Sequence, residues 1–193
     1  MKFVFRSGTR EAGTRKPLRL LKRRVLYSGR VVRLEKLKLR APDGTAVTRE
    51  LIRHGGSVVV VPLLKGERFV MVIQYRVATN GYLLEFPAGT LEPGETPRRC
   101  AFRELAEEIK YRPGRMIYLG KFFPVPGIST ELMHLYLGID LKPADGHPDE
   151  DEWLESCVLT RAQLERQIAR GRLYDAKSIL GYFYYLRYLK QQR

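Results

Sequence analysis

Glu104, Glu107 and Glu108 stand at positions i, i+3 and i+4 of a stretch that contains neither Gly nor Pro from Arg98 to Lys110. If that stretch is helical, the three carboxylates share one face within a few ångströms of each other. Like charges at that spacing repel, and a chain with 35 Lys and Arg against 21 Asp and Glu does not need concentrated acid for solubility. Two readings stand at this point. One is a solvated helix face on which Arg103 pairs with Glu107 at i, i+4. The other is a cation site, for which hard carboxylate oxygens suit Mg2+ or Mn2+ better than softer ions. A second acidic run, Asp149-Glu150-Asp151-Glu152, follows Gly146-His147-Pro148 on an expected loop, where adjacent acids are most often simply solvated. His54 and His134 lack the spacing of a catalytic or zinc set and read as structural. Cys100 and Cys157 lie far apart, which suggests neither a zinc site nor a disulfide framework.

The residues around the acidic helix choose between the readings. Gly89, five residues, Glu95, seven residues, then Arg103-Glu104-Leu105-Ala106-Glu107-Glu108 reproduce the pattern GX5EX7REUXEEXGU, with U aliphatic. On this pattern the chain resembles the Nudix hydrolases. The resemblance implies a loop-helix-loop and hydrolysis of a nucleoside diphosphate linked to a further group. It also implies that Glu104, Glu107, Glu108 and the Ala88 carbonyl hold Mg2+, with Mn2+ as a substitute, and that Arg103 orients a glutamate, both Arg103 and Glu107 serving catalysis. The pattern departs at its end, where Lys110 and Tyr111 stand in place of the glycine and the aliphatic residue. Pro113-Gly114 is expected to stop the helix three residues later.

Other segments narrow the substrate. Glu85-Phe86-Pro87-Ala88-Gly89 is similar to the E-h-P-A-G entry, with h hydrophobic, of the ADP-ribose pyrophosphatases, and Gln74-Tyr75-Arg76 to their Q-Y-R. Pro126 lies fifteen positions beyond Tyr111, within Pro126-Gly127-Ile128-Ser129-Thr130-Glu131, which resembles the same family's P-G-x-x-x-E loop. The implied substrate contacts are Arg49, Arg76, Glu85, Pro126, Gly127 and Glu131. On the acidic loop, Glu150 is implied as the catalytic base and Glu152 as a further metal ligand. The implied products are AMP and ribose 5-phosphate. Taken singly, Pro126 is equally an ordinary loop proline and Arg49 and Arg76 ordinary surface arginines. Two alternatives remain beside ADP-ribose hydrolysis. One is a Nudix enzyme acting on GDP-mannose, NADH or RNA, and the other is a nucleotide-binding or regulatory module of the same fold without hydrolysis. No helix-turn-helix is visible to support DNA binding.

These groups need a scaffold. Alternation from Val25 to Arg53, broken by Pro42-Asp43-Gly44, predicts a hairpin. Ser57 to Leu63 and Phe69 to Tyr75 read as buried strands around the turn Lys65-Gly66-Glu67. Thr96 and Pro97 start the acidic helix. Strands are expected at Met116 to Phe123, Leu132 to Ile139 and Leu154 to Leu159. Thr160 and Gln163 form a capping box for a second helix, and a third starts near Asp175. This order predicts an α/β or α+β fold with sheet between helices. The resemblance makes it a Nudix-type α/β/α sandwich with a mixed sheet, preceded by antiparallel N-terminal strands. The aromatic run Tyr182 to Tyr185 reads as helix packing rather than base stacking.

At 193 residues and 44% hydrophobic content, one compact domain with a tail is expected. The net charge of +14 is uneven, since Met1 to Arg24 carries nine Lys or Arg against Glu11 alone. Residues 1–24 are therefore read as a basic extension, solvated and disordered in part, or else contacting nucleic acid or another anionic surface. Residues 25–55 are read as β-strands that join a homodimer by resemblance to the family, and 56–193 as the catalytic domain. No apolar run approaches the roughly 20 residues that span a bilayer, and no signal-peptide core is visible, so a cytoplasmic location is expected.

Overall fold

A computed structural model describes residues 17–30, 32–146 and 154–192. They fall into two compact units divided between Arg53 and His54. The first is a three-stranded antiparallel sheet of β1 (Arg19–Ser28), β2 (Arg33–Arg40) and β3 (Ala46–Arg53), in that order. The β2-β3 hairpin turns through Ala41 to Thr45, where Asp43 Oδ1 accepts the Thr45 amide at 2.9 Å. Along β2, Glu35 and Leu37 are buried while Lys36, Lys38 and Arg40 are exposed, the period-2 pattern of a strand with one covered face. Arg53 Nε donates to Glu35 at 2.9 Å, and Arg23 and Arg33 stand 3.4 and 3.3 Å from the same carboxylate. The strand begins at Arg19, so the cationic residues from Arg19 to Arg24, expected as part of a loose extension, pair with β2 from Arg40 to Lys36.

The second unit is built on a seven-stranded mixed sheet whose main path runs β10-β5-β4-β9-β8, with β6 on β5 and β7 on β4. Its strands are β4 (Ser57–Leu64), β5 (Arg68–Arg76), β6 (Gly81–Glu85), β7 (Ala88–Thr90), β8 (Tyr111–Phe122), β9 (Met133–Pro143) and β10 (Leu154–Thr160). Only the β4-β9 pair is parallel. Valines 58 to 61 of β4 are completely buried, and their alternation divides the core. Val58 and Val60 face Cys100, Ala101, Leu105 and Ile109 of α1 (Pro97–Ile109). Val59 and Val61 face Leu164 of α2 (Arg161–Ala169) and Tyr182 and Tyr185 of α3 (Ala176–Gln191). Helices on both faces of a mixed sheet make the expected α/β/α sandwich. Tyr182 and Tyr185 stand edge-on to Phe69 at 5.8 and 5.2 Å, so those aromatics pack as expected, while Phe183 is exposed.

The sheet opens where the acidic helix needs it. β4 and β5 pair only at Leu63 with Phe69 and Leu64 with Arg68, then diverge, β4 toward β7 and β5 toward β6. The gap admits Glu85 to Gly89, and Val60 donates its amide to the Pro87 carbonyl at 2.9 Å. Every backbone polar group in such a gap must find a partner, which makes the segment's path specific.

Candidate active site

α1 starts as the sequence predicts. The Thr96 side chain accepts the Arg99 amide and Pro97 takes the first turn, where its missing N–H costs nothing. Its end differs from expectation. The helix stops at Ile109, and Lys110 itself adopts the left-handed conformation, φ 57°, donating its amide to Ala106 at 3.2 Å. Pro113 and Gly114 lie inside β8, paired toward Leu141, and terminate nothing. Pro113 is tolerated because β8 ends the sheet, where a strand residue without an N–H loses no ladder bond on its open side.

The buried face of α1 carries the acids toward β7. Glu104 and Glu108 are 7% and 4% exposed, and Glu107 lies at the rim with its side chain 30% exposed. Glu108 Oε2 accepts the Ala88 amide at 3.2 Å. Glu104 fills the space over Gly89, where an added Cβ would fall 1.7 Å from Glu104 Oε1. A glycine is required there by close approach, not by turn geometry. Arg103 ties the set together. Its Nη1 stands 2.8 Å from Glu104 and donates to Glu107 at 2.9 Å. Nε and Nη2 grip Glu95 at 3.1 and 3.0 Å, and Nη2 also reaches the Thr90 carbonyl at 3.1 Å.

Burial opposes ionisation of Glu95, but the hydrogen bonds from Arg103 and the Glu92 amide outweigh it and hold the carboxyl below the usual range. Desolvation likewise works against the Arg103 charge, and Glu95, Glu104 and Glu107 more than compensate, pushing its pKa up. Burial, then the Glu104 charge, pushes the Cys100 thiol up, so that residue is a neutral core thiol and not a nucleophile. Three carboxylates, Glu95, Glu104 and Glu107, thus stand within 3.0 Å of the Arg103 guanidinium, and Glu108 lies further along α1 on the Ala88 amide. That surplus of acid in a nearly dry place suits a hard divalent cation by charge and donor type. Among the described residues no three acid, imidazole or thiol side chains close around a single point, and Arg103 Nη1 stands between Glu104 and Glu107.

Glu85 is 1% exposed, and both of its oxygens are taken. Arg76 grips it with Nε and Nη2 at 2.7 and 2.6 Å, and the Lys177 ammonium contacts Oε2. Burial alone would raise this carboxyl, but Arg76 and Lys177 hold it below the usual glutamate range. Arg76 is pushed up chiefly by that hydrogen bond, and the Glu108 charge also reaches it, which joins this pair electrically to the acidic helix. In the structure, therefore, Glu85 anchors cations rather than facing solvent.

The Pro126 loop is tied to β4. Pro126 and Gly127 are exposed in a turn, whereas Glu131 accepts the Ser57 hydroxyl at 2.7 Å and Thr130 Oγ1 accepts the His54 amide at 3.0 Å. Ser57 in turn pairs with Thr90 of β7. His54 Nδ1 accepts the Gly56 amide, the structural role expected of it. Arg49 belongs to the N-terminal unit, exposed on β3, where it donates to the Thr48 carbonyl at 2.8 Å. Glu150 and Glu152 lie outside the described residues. The chain on either side of them is placed, however: a Cβ on Gly146 would fall 2.0 Å from the Ala106 carbonyl oxygen of α1, and Leu154 pairs with Gln74.

Sequence reasoning marked Asp175 only as a helix start and passed over Lys177 and Ser178. Ser178 Oγ accepts the Phe86 amide at 2.6 Å, and Lys177 stands 3.0 Å from Asp175 as well as against Glu85. One signal was available. A lysine in the first turn of a helix opposes the macrodipole, so it calls for an acidic partner, and α3 has no acid in its first turn.

Comparison with known proteins identifies the family. The NUDIX domain family matches residues 53–180. A Bacillus methanolicus protein named methanol dehydrogenase activator is 37% identical over 85% of this chain and 90% of its own. The ADP-ribose pyrophosphatase of Bacillus subtilis (strain 168) is 32% identical over 79% of this chain and 84% of its own. A crystal structure of an ADP compounds hydrolase superposes with a TM-score of 0.83 at 22% identity, covering 94% of this chain and 98% of that one. The chain belongs to the Nudix hydrolase superfamily, with ADP-ribose pyrophosphatases among its relatives.

Proposed function

We propose that this chain hydrolyses the diphosphate of ADP-ribose, or of a closely related nucleoside diphosphate sugar, to AMP and ribose 5-phosphate in a reaction that depends on Mg2+, with Mn2+ as a substitute. The observation that carries the reading is the buried acid face of α1, with Glu104 and Glu108 packed against Gly89 and Ala88 and in excess of the Arg103 charge. Glu104, Glu107, Glu108, the Ala88 carbonyl and Glu152 would hold the cation. A bound divalent cation neutralises diphosphate oxygens and acidifies water.

The chain's own residues supply the rest. Arg103 keeps Glu107 and Glu95 in fixed orientation through charge-assisted bonds, which are about twice as strong as neutral ones. Arg76, held by Glu85, presents its outer edge to a phosphate or ribose oxygen. Pro126, Gly127 and Glu131 line the substrate. Glu150 takes the proton of the attacking water. A cytoplasmic homodimer joined through the N-terminal strands, as the family resemblance suggests, completes the reading.

The test is a panel of ADP-ribose, GDP-mannose, NADH and dinucleoside diphosphates with Mg2+, run beside Glu108→Gln. ADP-ribose should yield AMP and ribose 5-phosphate, and the variant should be slower by about 100-fold or more. If no diphosphate is cleaved, or the variant matches the parent, the assignment fails. A second reading is a regulatory module that binds a nucleotide without cleaving it, of which the relative named methanol dehydrogenase activator favours the regulatory part alone. Tight ADP-ribose binding without turnover in the same panel would select that reading.

A further inference from the structure

We propose that Lys177 is a positioning residue that fixes the guanidinium of Arg76, and with it the edge left free for substrate, by locking the plane of the Glu85 carboxylate between them. The proposal rests on the reading above, in which Arg76 binds the diphosphate or ribose of the substrate.

The geometry is a short chain of charges. Glu85 Oε2 is shared by Arg76 Nη2 at 2.6 Å and by the Lys177 ammonium, while Oε1 takes Arg76 Nε at 2.7 Å. A fork of this kind is coplanar with its carboxylate, so whatever sets the carboxylate plane also sets the direction of the guanidinium. A glutamate held only by one arginine can still turn about its terminal torsion, which is broad. A second cation on one oxygen removes that freedom. Lys177 is itself held, with its side chain 12% exposed and its ammonium 3.0 Å from Asp175. The turn that carries it is pinned as well, because Asp175 accepts the Ser178 amide and the Ser178 hydroxyl accepts the amide of Phe86, the residue after Glu85.

The charges also balance. Two acids, Asp175 and Glu85, meet two bases, Lys177 and Arg76, so the fork is oriented without leaving a buried charge unpaired. Only Nε and Nη2 of Arg76 are spent on Glu85, and the side chain stays 38% exposed, which leaves an edge for a ligand. Since the lysine opposes the dipole of its own helix, its energetic return lies with the carboxylates of Glu85 and Asp175 and not with the helix dipole.

The test uses the full chain with ADP-ribose as probe. Lys177→Met should raise the KM for ADP-ribose on the order of tenfold with kcat within about twofold of the parent, the pattern of a lost binding orientation. Lys177→Arg should restore KM to within about twofold. Arg76→Lys keeps Glu85 neutralised but discards the fork, so its KM factor and that of Lys177→Met should not multiply when combined. The pair Glu85→Gln with Lys177→Met leaves no orphaned carboxylate and should show the same KM rise even if Lys177→Met alone does not fold. The dissociation constant of ADP-ribose without metal should move with KM, a readout that needs no turnover. Parent-like KM and affinity in the folded lysine variants, or full multiplication with Arg76→Lys, would overturn the proposal. A parent that binds ADP-ribose, loses affinity in Lys177→Met, yet cleaves no diphosphate would refute the hydrolase reading and leave the positioning role standing.

Discussion

At the scale of single residues, Gly89 couples the fold to the chemistry. An alanine there would place its Cβ 1.7 Å from Glu104 Oε1 and 1.9 Å from its Cδ, and neither is a backbone atom. The end of a flexible side chain can swing away, so the fold should tolerate the change while the carboxylate leaves its place. Gly89→Ala is therefore expected to lose about 100-fold in kcat, as a displacement of roughly 1 Å can cost, with Tm within a few degrees of the parent. Initial-rate kinetics beside a thermal melt decide it, and unchanged kcat would show that Glu104 does not need its present position. The residues of this cluster were legible because they are near neighbours in the chain: Gly89, Glu95, Arg103, Glu104, Glu107 and Glu108 span twenty positions. Lys177 was not, because its partner Glu85 lies 92 residues away and no local pattern records such a meeting.

The elements show the same division between local and long-range information. Caps at Thr96, Thr160 and Asp175 were legible because a side chain bonding the backbone three residues on is a local event. The end of α1 was misjudged because Pro113-Gly114 looks like a stop, while its tolerance in β8 depends on that strand's place at the sheet's edge. Likewise the cationic Arg19 to Arg24 gave no sign of a strand, since their order comes from pairing with β2. Lys110 bears the cost of ending the helix. A residue with a Cβ in the left-handed region costs about 1–2 kcal/mol, of which glycine avoids most but gives back about 0.5–1 kcal/mol in chain entropy. Lys110→Gly should then stabilise the protein by about 0.5–1 kcal/mol, roughly 2 °C in Tm, with kcat unchanged. Urea denaturation with a constant m-value would register it, and a lower midpoint would mean that the lysine side chain contributes more than the backbone strain takes away.

At the scale of the whole molecule, the two units differ in how well they cover themselves. The unit from His54 onward encloses two continuous cores, one on each face of its sheet. In the N-terminal unit, among the described residues, only Glu35 and Leu37 are buried, while Leu18, Leu20, Val25, Leu26, Tyr27 and Val32 are exposed. Three strands with so little covered apolar surface fall short of independent stability, and several large exposed apolar side chains on one element mark an interaction surface. Sequence could show the alternation of these strands but not which apolar side chains are left bare. The charge pattern limits how that surface is used. β1 is an edge strand carrying Arg19, Lys22, Arg23 and Arg24, and such cations guard an edge against pairing with another strand, so a partner is expected to pack on the exposed apolar side chains instead. With a second copy as that partner, the 22.3 kDa chain should sediment as a dimer at micromolar concentration. Introducing Leu20→Lys together with Leu26→Lys, both more than 40% exposed in the single chain, should return it to the monomer with the sheet intact by circular dichroism. A parent that sediments as a monomer, or a double variant that remains dimeric, would place the partner of this face elsewhere than on a second copy.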